Sequence, residues 1–423
     1  MGKAAEFMTR NGFDLTKFDN DALLDLFMKD MDTGLAGDKS SSLAMIPAYI
    51  GLPAQLPRNR KVAVLDAGGT NLRAALIAFD ANGKAGIEKI VKSEMPGSKK
   101  EVTADEFYNI LTEQLLQVMP PEIDRIGFCF SYPAEITEKC DAKLLFWSKQ
   151  IKAPEVVGQY VGTELKKRLA AKGRKAEIVI LNDTVATLLA GYTEMPAAES
   201  FVGFILGTGT NTAYLENTAA ITKCPGAQKF GAQMSVNVES GHFAKLPRTA
   251  FDIEFDKTTQ DTGKGLFEKA LSGVYMGGVA LAAMKAAAKE GIFSAAAAKE
   301  IDTLSALNNK DIDDFGANVA GCPLFAGWDD ADKTAAREIT KPLYERAARL
   351  TAVNIAVAAI RGGKKSVCVN IDGSTYYKTK TVSFPEIVTR ELDKMLKPRG
   401  IAYKLIKVDE APVFGAAVAA LTV

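Results

Sequence analysis

Val62–Phe79, VAVLDAGGTNLRAALIAF, and Val202–Glu216, VGFILGTGTNTAYLE, carry one short design twice. In each, an apolar run ends in two glycines beside a threonine, an asparagine follows, and a second run able to pair with the first leads away. The pattern predicts a β-hairpin whose turn presents backbone N–H groups and hydroxyls. Glycine has no Cβ, so the chain there can take positive φ and another group can come close to the backbone. An anion such as phosphate suits such a turn. One glycine turn need only reverse the chain. Two related turns, far apart in the chain, predict two halves facing each other across a nucleotide.

The 423 residues suffice for two domains, at on the order of 100 to 200 residues each. A hydrophobic share of 47% supports well-filled cores, and the net charge of +1 comes from scattered Lys and Arg, which gives no argument for nucleic acid or an anionic membrane as partner. The N-terminal stretch lacks the apolar segment of a signal peptide, and no apolar run nears the roughly 20 residues needed to span a bilayer. A soluble, cytoplasmic protein is expected. Cys129, Cys140, Cys224, Cys322 and Cys368 lie far apart without a C-x-x-C pair, so neither a structural zinc nor a disulfide framework is expected. His242 is the only histidine. It reads as structural, and acid–base work falls to carboxylates.

Outward from the first hairpin, 86–95 reads as a third antiparallel strand, 103–119 as a helix with Thr103 as its N-cap, 124–130 as a strand, 155–172 as a helix and 176–181 as a short buried strand running into a helix over 184–193. The order β-β-β-α-β-α-β-α predicts a mixed sheet covered by helices. The second hairpin restarts the plan. Helices are expected over 15–31, 265–290, 330–360, 384–396 and 411–421, a strand-and-glycine element over 366–377 and a strand over 403–408.

Asp66, Gly68, Gly69, Thr70, Asn71 and Arg73 form the first candidate cluster. Arg73 has the planar fork that neutralises phosphate oxygens, and Asp66, where the strand ends, is placed to hold water around Mg²⁺ or merely to cap the turn. Asn182-Asp183-Thr184 suits a helix cap. It also puts Asp183 at the carboxyl end of a strand, where ligands of α/β sheets bind and a carboxylate can take a proton from a hydroxyl; the two roles are compatible. Ser131, Ser148, Lys149, Glu239 and Glu268 are polar residues in apolar settings, and for Lys149 and Glu268 a solvated face is the plainer explanation.

The motifs LDAGGTNLR, FCFSYP, FWSKQ, LNDTVATLLAGY, FILGTGTNTAYLE, VNVESG, GKGLFEKALSGVYMG and NIDGSTYYK occur in the order found in hexokinases, glucokinases included, and the lead-in MKDMDTGLAGDKSSSLAMIPAYIGLPAQLP is similar too. The resemblance implies a two-lobed, actin-like ATPase α/β fold with duplicated ribonuclease-H-like mixed sheets and a central cleft. A small lobe would take residues 58–183 plus 411–423, and a large lobe 1–57 plus 184–410. It implies ATP-dependent phosphorylation of a hexose, D-glucose foremost, at its 6-hydroxyl, the first step of glycolysis, in a monomer or homodimer. Hexose would contact Ser131, Ser148, Lys149, Asn182, Asp183, Asn211, Glu239 and Glu268, with Asp183 the general base and Lys149 and Arg73 beside it in catalysis. ATP would lie against Gly68, Gly69, Thr70, Asn71, Arg73, Gly207, Thr208 and Gly209, with Gly373, Ser374 and Gly415 on the adenosine side and Asp66 holding hydrated Mg²⁺.

The chain departs from the family at Ser148, usually threonine, at Ser240, where many relatives carry tryptophan and which predicts a looser sugar-pocket wall, and at EAPVFGAAVAAL, which lacks the usual Ser- and Gly-rich sequence. A sugar sensor without turnover, and a kinase of the same superfold for another sugar or a small acid, stand as alternatives.

Overall fold

The structure, a computed structural model, describes residues 2–148 and 150–423. Its strands are β1 (Ile46–Pro47), β2 (Arg60–Ala67), β3 (Asn71–Phe79), β4 (Ala85–Glu94), β5 (Arg125–Phe130), β6 (Ala134–Ile136), β7 (Ala142–Leu144), β8 (Glu177–Leu181), β9 (Ser200–Leu206), β10 (Thr210–Asn217), β11 (Gln233–Asn237), β12 (Ser366–Asp372) and β13 (Ala402–Ile406). One sheet has the order β4-β3-β2-β5-β8 and the other β11-β10-β9-β12-β13, with β1 added beyond β11; β6 and β7 pair by themselves. In both sheets a glycine hairpin starts an antiparallel meander and the last two strands run parallel to the first. The duplicated plan expected from the hairpins is therefore present strand for strand.

Burial explains the sequence texture. β5, central and covered on both faces, is apolar throughout its inner residues, whereas β4, at an edge, is largely exposed and charged. Thr103 closes a full capping box with Glu106, which fixes the start of the helix Ala104–Val118. The helix expected from 155 begins only at Val161, after a turn in which Gly158 takes φ +83°. Among the described residues no helix is long and apolar enough to cross a membrane.

The two sheets are joined through two helices, Asp183–Glu194 and Ala411–Thr422, in a line of close approaches each seated on a glycine. A Cβ on Gly127 of β5 would lie 2.0 Å from the Ala416 carbonyl oxygen, one on Gly415 would lie 1.8 Å from that of Ala186, and one on Gly203 of β9 would lie 2.3 Å from that of Thr184. Sheet, helix, helix and second sheet thus touch main chain to main chain. Around this line a shared core takes Val64 and Ile77 from the first sheet, Leu188 and Val418 from the helices, and Ala213 and Cys368 from the second.

The stretch 265–290, expected as one helix, is two: Leu266–Leu271 and Met276–Lys289. The reason is a competing acceptor. Gly273 N–H donates to the Gly207 carbonyl at 2.8 Å and Val274 N–H to that of Thr208 at 3.3 Å, so the break braces the second glycine turn.

Candidate active site

Both glycine turns are hairpin turns in tight register. Asp66 faces Arg73 across the first, and Leu206 faces Thr210 across the second. Thr70, Asn71 and Thr208 are exposed, Gly68, Gly69, Gly207 and Gly209 half-buried. The Tyr132 hydroxyl donates to the Gly68 carbonyl, tying the first turn to the loop after β5. Gly373, at φ +117°, lies against the second turn, and Ser374, exposed, starts the short helix Ser374–Lys378. Gly415 is not beside them: it is buried where the two joining helices cross, so its expected place on the adenosine side is corrected to packing.

Arg73 Nε lies 2.9 Å from Asp66 Oδ2, in ion-pair range without hydrogen-bond alignment, and its Nη1 donates to Glu410, which Lys92 also reaches at 3.2 Å. Glu410 has no local sequence signal beyond preceding a proline-opened helix, and the sequence reading missed it. Burial pushes the Asp66 carboxyl up to about 6, against the pull of Arg73. In the folded chain Asp66 holds a proton between its ordinary 3.8 and about 6, where the unfolded chain has lost it. Its contribution to stability is fully present below the lower value and lost as pH rises through the upper one. Urea unfolding followed across that window is expected to show this slope in the wild-type chain and not in Asp66→Asn; equal slopes would remove Asp66 as its source.

Asn182 is the N-cap: its Oδ1 accepts from Thr184 N–H at 2.8 Å, so the Asp183 carboxyl is not needed to cap the helix. Asp183, half-buried, stands between the halves, and its charge acts on Asp66 of the first sheet and on Glu239 beside the second. Glu239 accepts from Asn237 Nδ2 at 2.8 Å and Asn211 Nδ2 at 3.2 Å. Glu268 accepts from Thr210 N–H at 2.8 Å and packs against Gly209 and Gly241. Burial raises both glutamates, with those hydrogen bonds opposing. Asn237, at the end of β11, was missed as well.

Ser131 follows β5 directly, its N–H donating to the Ala67 carbonyl at 3.3 Å. Ser148 is exposed on the loop after β7, and Lys149 lies outside the described residues. That loop borders the cleft: Leu145 and Phe146 share a cavity of about 280 Å³ with Asn182, Asn237, Glu239 and His242. His242 is exposed there. Ser240 does not loosen the wall either; it is fully buried, pointing inward to Thr212 and Asn354.

Two hexokinase family models match, one over residues 8–193 and one over 201–422. The chain belongs to the hexokinase family. This hexokinase-family chain is similar to Hexokinase-1 of Arabidopsis thaliana, 35% identical over 272 residues that make up 60% of the chain and 53% of that protein, and to Hexokinase-3 of Oryza sativa subsp. japonica, 32% identical over 61% and 53%. It thus spans about half the length of the curated relatives it matches. A structure of the Schistosoma mansoni hexokinase complexed with glucose superposes with a TM-score of 0.80 at 26% identity, covering 100% of this chain and 98% of that one. Sheets and neighbours together give the hexokinase family's two-domain, actin-like kinase fold.

Proposed function

We propose that the chain transfers the γ-phosphoryl group of ATP to the 6-hydroxyl of a hexose, D-glucose foremost. The observation that carries the reading is Asp183: a carboxylate at a strand end, relieved of capping by Asn182 and facing both glycine-hairpin sheets. In the transfer an O6–P bond forms, the bond from phosphorus to the departing ADP oxygen breaks, and the hydroxyl proton passes to Asp183. Phosphoryl transfer needs alignment and charge stabilisation with little covalent help from the protein.

Asn182, Asn211, Glu239 and Glu268, with Ser131, Ser148 and Lys149, orient the sugar, whose hydroxyls each donate and accept. Thr70, Asn71, Arg73 and Thr208 with the turn glycines take the phosphates, and Gly373 and Ser374 border the adenosine. Asp66 fits a hydrated Mg²⁺, because its buried Oδ2 has charge but no hydrogen bond; the ion would supply positive charge at the phosphates. The small lobe is read as 58–183 with 411–423 and the large lobe as 1–57 with 184–410; the last helix packs on β2, β5 and β8, in favour of its place in the small lobe, and also on the helix Asp183–Glu194.

ADP release across a panel of hexoses and phosphoryl donors tests the reading. Hexose-dependent release with ATP is expected. Tight sugar binding with no release under any donor would leave a sensor instead.

A further inference from the structure

Behind the sugar-facing wall lies a closed ring of hydrogen bonds among Thr212, Ser240 and Asn354, each at most 1% exposed. Thr212 gives its one hydroxyl proton to Asn354 Oδ1 at 2.8 Å, and Asn354 Nδ2 donates to Ser240 Oγ at 3.0 Å. The Ser240 proton is then left for Thr212 Oγ1, also at 3.0 Å. Donors and acceptors match around the ring, so none of the three buried side chains lacks a partner in it.

The ring sits one residue behind two candidate sugar contacts. Asn211 and Thr212 are neighbours on β10, so one faces the cleft when the other faces the core. Ser240 follows Glu239, whose backbone is left-handed at φ +56° and ψ +49°, a state a non-glycine residue keeps only when its surroundings enforce it. The N–H groups of Thr212 and Ser240 both donate to Asn211 Oδ1, at 2.7 and 3.3 Å. That turns Asn211 Nδ2 towards Asn237 Oδ1 at 2.8 Å and Glu239 Oε1 at 3.2 Å.

From this we infer that Asn354, in the long helix Asp330–Arg361, is a positioning residue for the sugar site: through Ser240 and Thr212 it sets Glu239 and Asn211. The inference rests on the hexose-kinase reading. Asn354→Leu keeps the size and removes both ring contacts. It is expected to raise the KM for hexose about tenfold, with kcat and the KM for ATP changed far less. Ser240→Ala, a milder cut, shows the same split on a smaller scale. In a triple variant, Thr212→Val with Ser240→Ala and Asn354→Leu, no buried polar group is left unpaired, so thermal stability returns while the hexose KM stays high. A stable triple variant with wild-type hexose KM overturns the inference, as does an unchanged hexose KM in Asn354→Leu; if the triple variant does not fold, the single variants decide. The wild-type chain assayed alongside separates the two readings. Absent ADP release there fails the kinase reading, whereas normal wild-type turnover with unaltered variants fails only this one.

Discussion

Turnover by Asp183→Ala is expected to fall by about a hundred- to ten-thousand-fold, the range one general acid–base group contributes, while hexose affinity changes little. The expectation rests on a division of labour within two residues. Asn182 caps the helix through its own side chain, and the main-chain carbonyl of Asp183 accepts from Thr187 Oγ1 at 2.9 Å, a bond that alanine retains. The substitution therefore removes the carboxylate, and with it the acceptor of the Thr184 hydroxyl at 3.2 Å, while the Asn182 cap and the Thr187 bond remain. Steady-state kinetics paired with calorimetric sugar binding checks it. Turnover within tenfold of wild type would rule Asp183 out as the base, and loss of sugar binding together with thermal stability would make it a structural residue.

Gly415→Val is expected to destabilise the fold by at least about 3 kcal/mol, the upper range for overpacking a core. A Cβ at Gly415 meets the Ala186 carbonyl oxygen at 1.8 Å and its carbonyl carbon at 2.5 Å, and neither can turn aside as a side-chain tip would. The joining helices must part, loosening the core they share with both sheets. Urea unfolding and soluble yield measure the loss. An adenosine-side glycine would behave otherwise: stability would hold and the KM for ATP would rise.

That contrast shows where sequence stops informing. A glycine between two apolar runs declares a turn locally, so both hairpins, and with them the doubled strand order, were readable. Gly415 lies inside a helix, and whether it admits a ligand or a neighbouring backbone depends on Ala186, more than two hundred residues away. The break after Leu271 was unreadable for the same reason, because the acceptor that draws Gly273 out of the helix belongs to the second glycine turn. Most candidate contacts came from motif order. Asn354 did not: it interrupts the apolar run AVNIAVAAI in a helix of 32 residues, but what it meets is set by the fold. Ser240 was noticed as a departure from the family, yet the direction of its hydroxyl is a tertiary fact.

A last consequence follows from the link between strand and helix. β8 ends at Leu181 in the first sheet, and the helix that lies across the second sheet starts at Asp183, so Asn182 alone separates them. Should one half rotate against the other, displacement grows with distance from the axis. Were the axis to run through this crossing, Asp183 would lie close to it. The glycine turns, at the ends of their hairpins, would then have the longer lever arms. On the proposed reading, such a rotation would carry the phosphate-facing turns and leave the proton acceptor nearly in place.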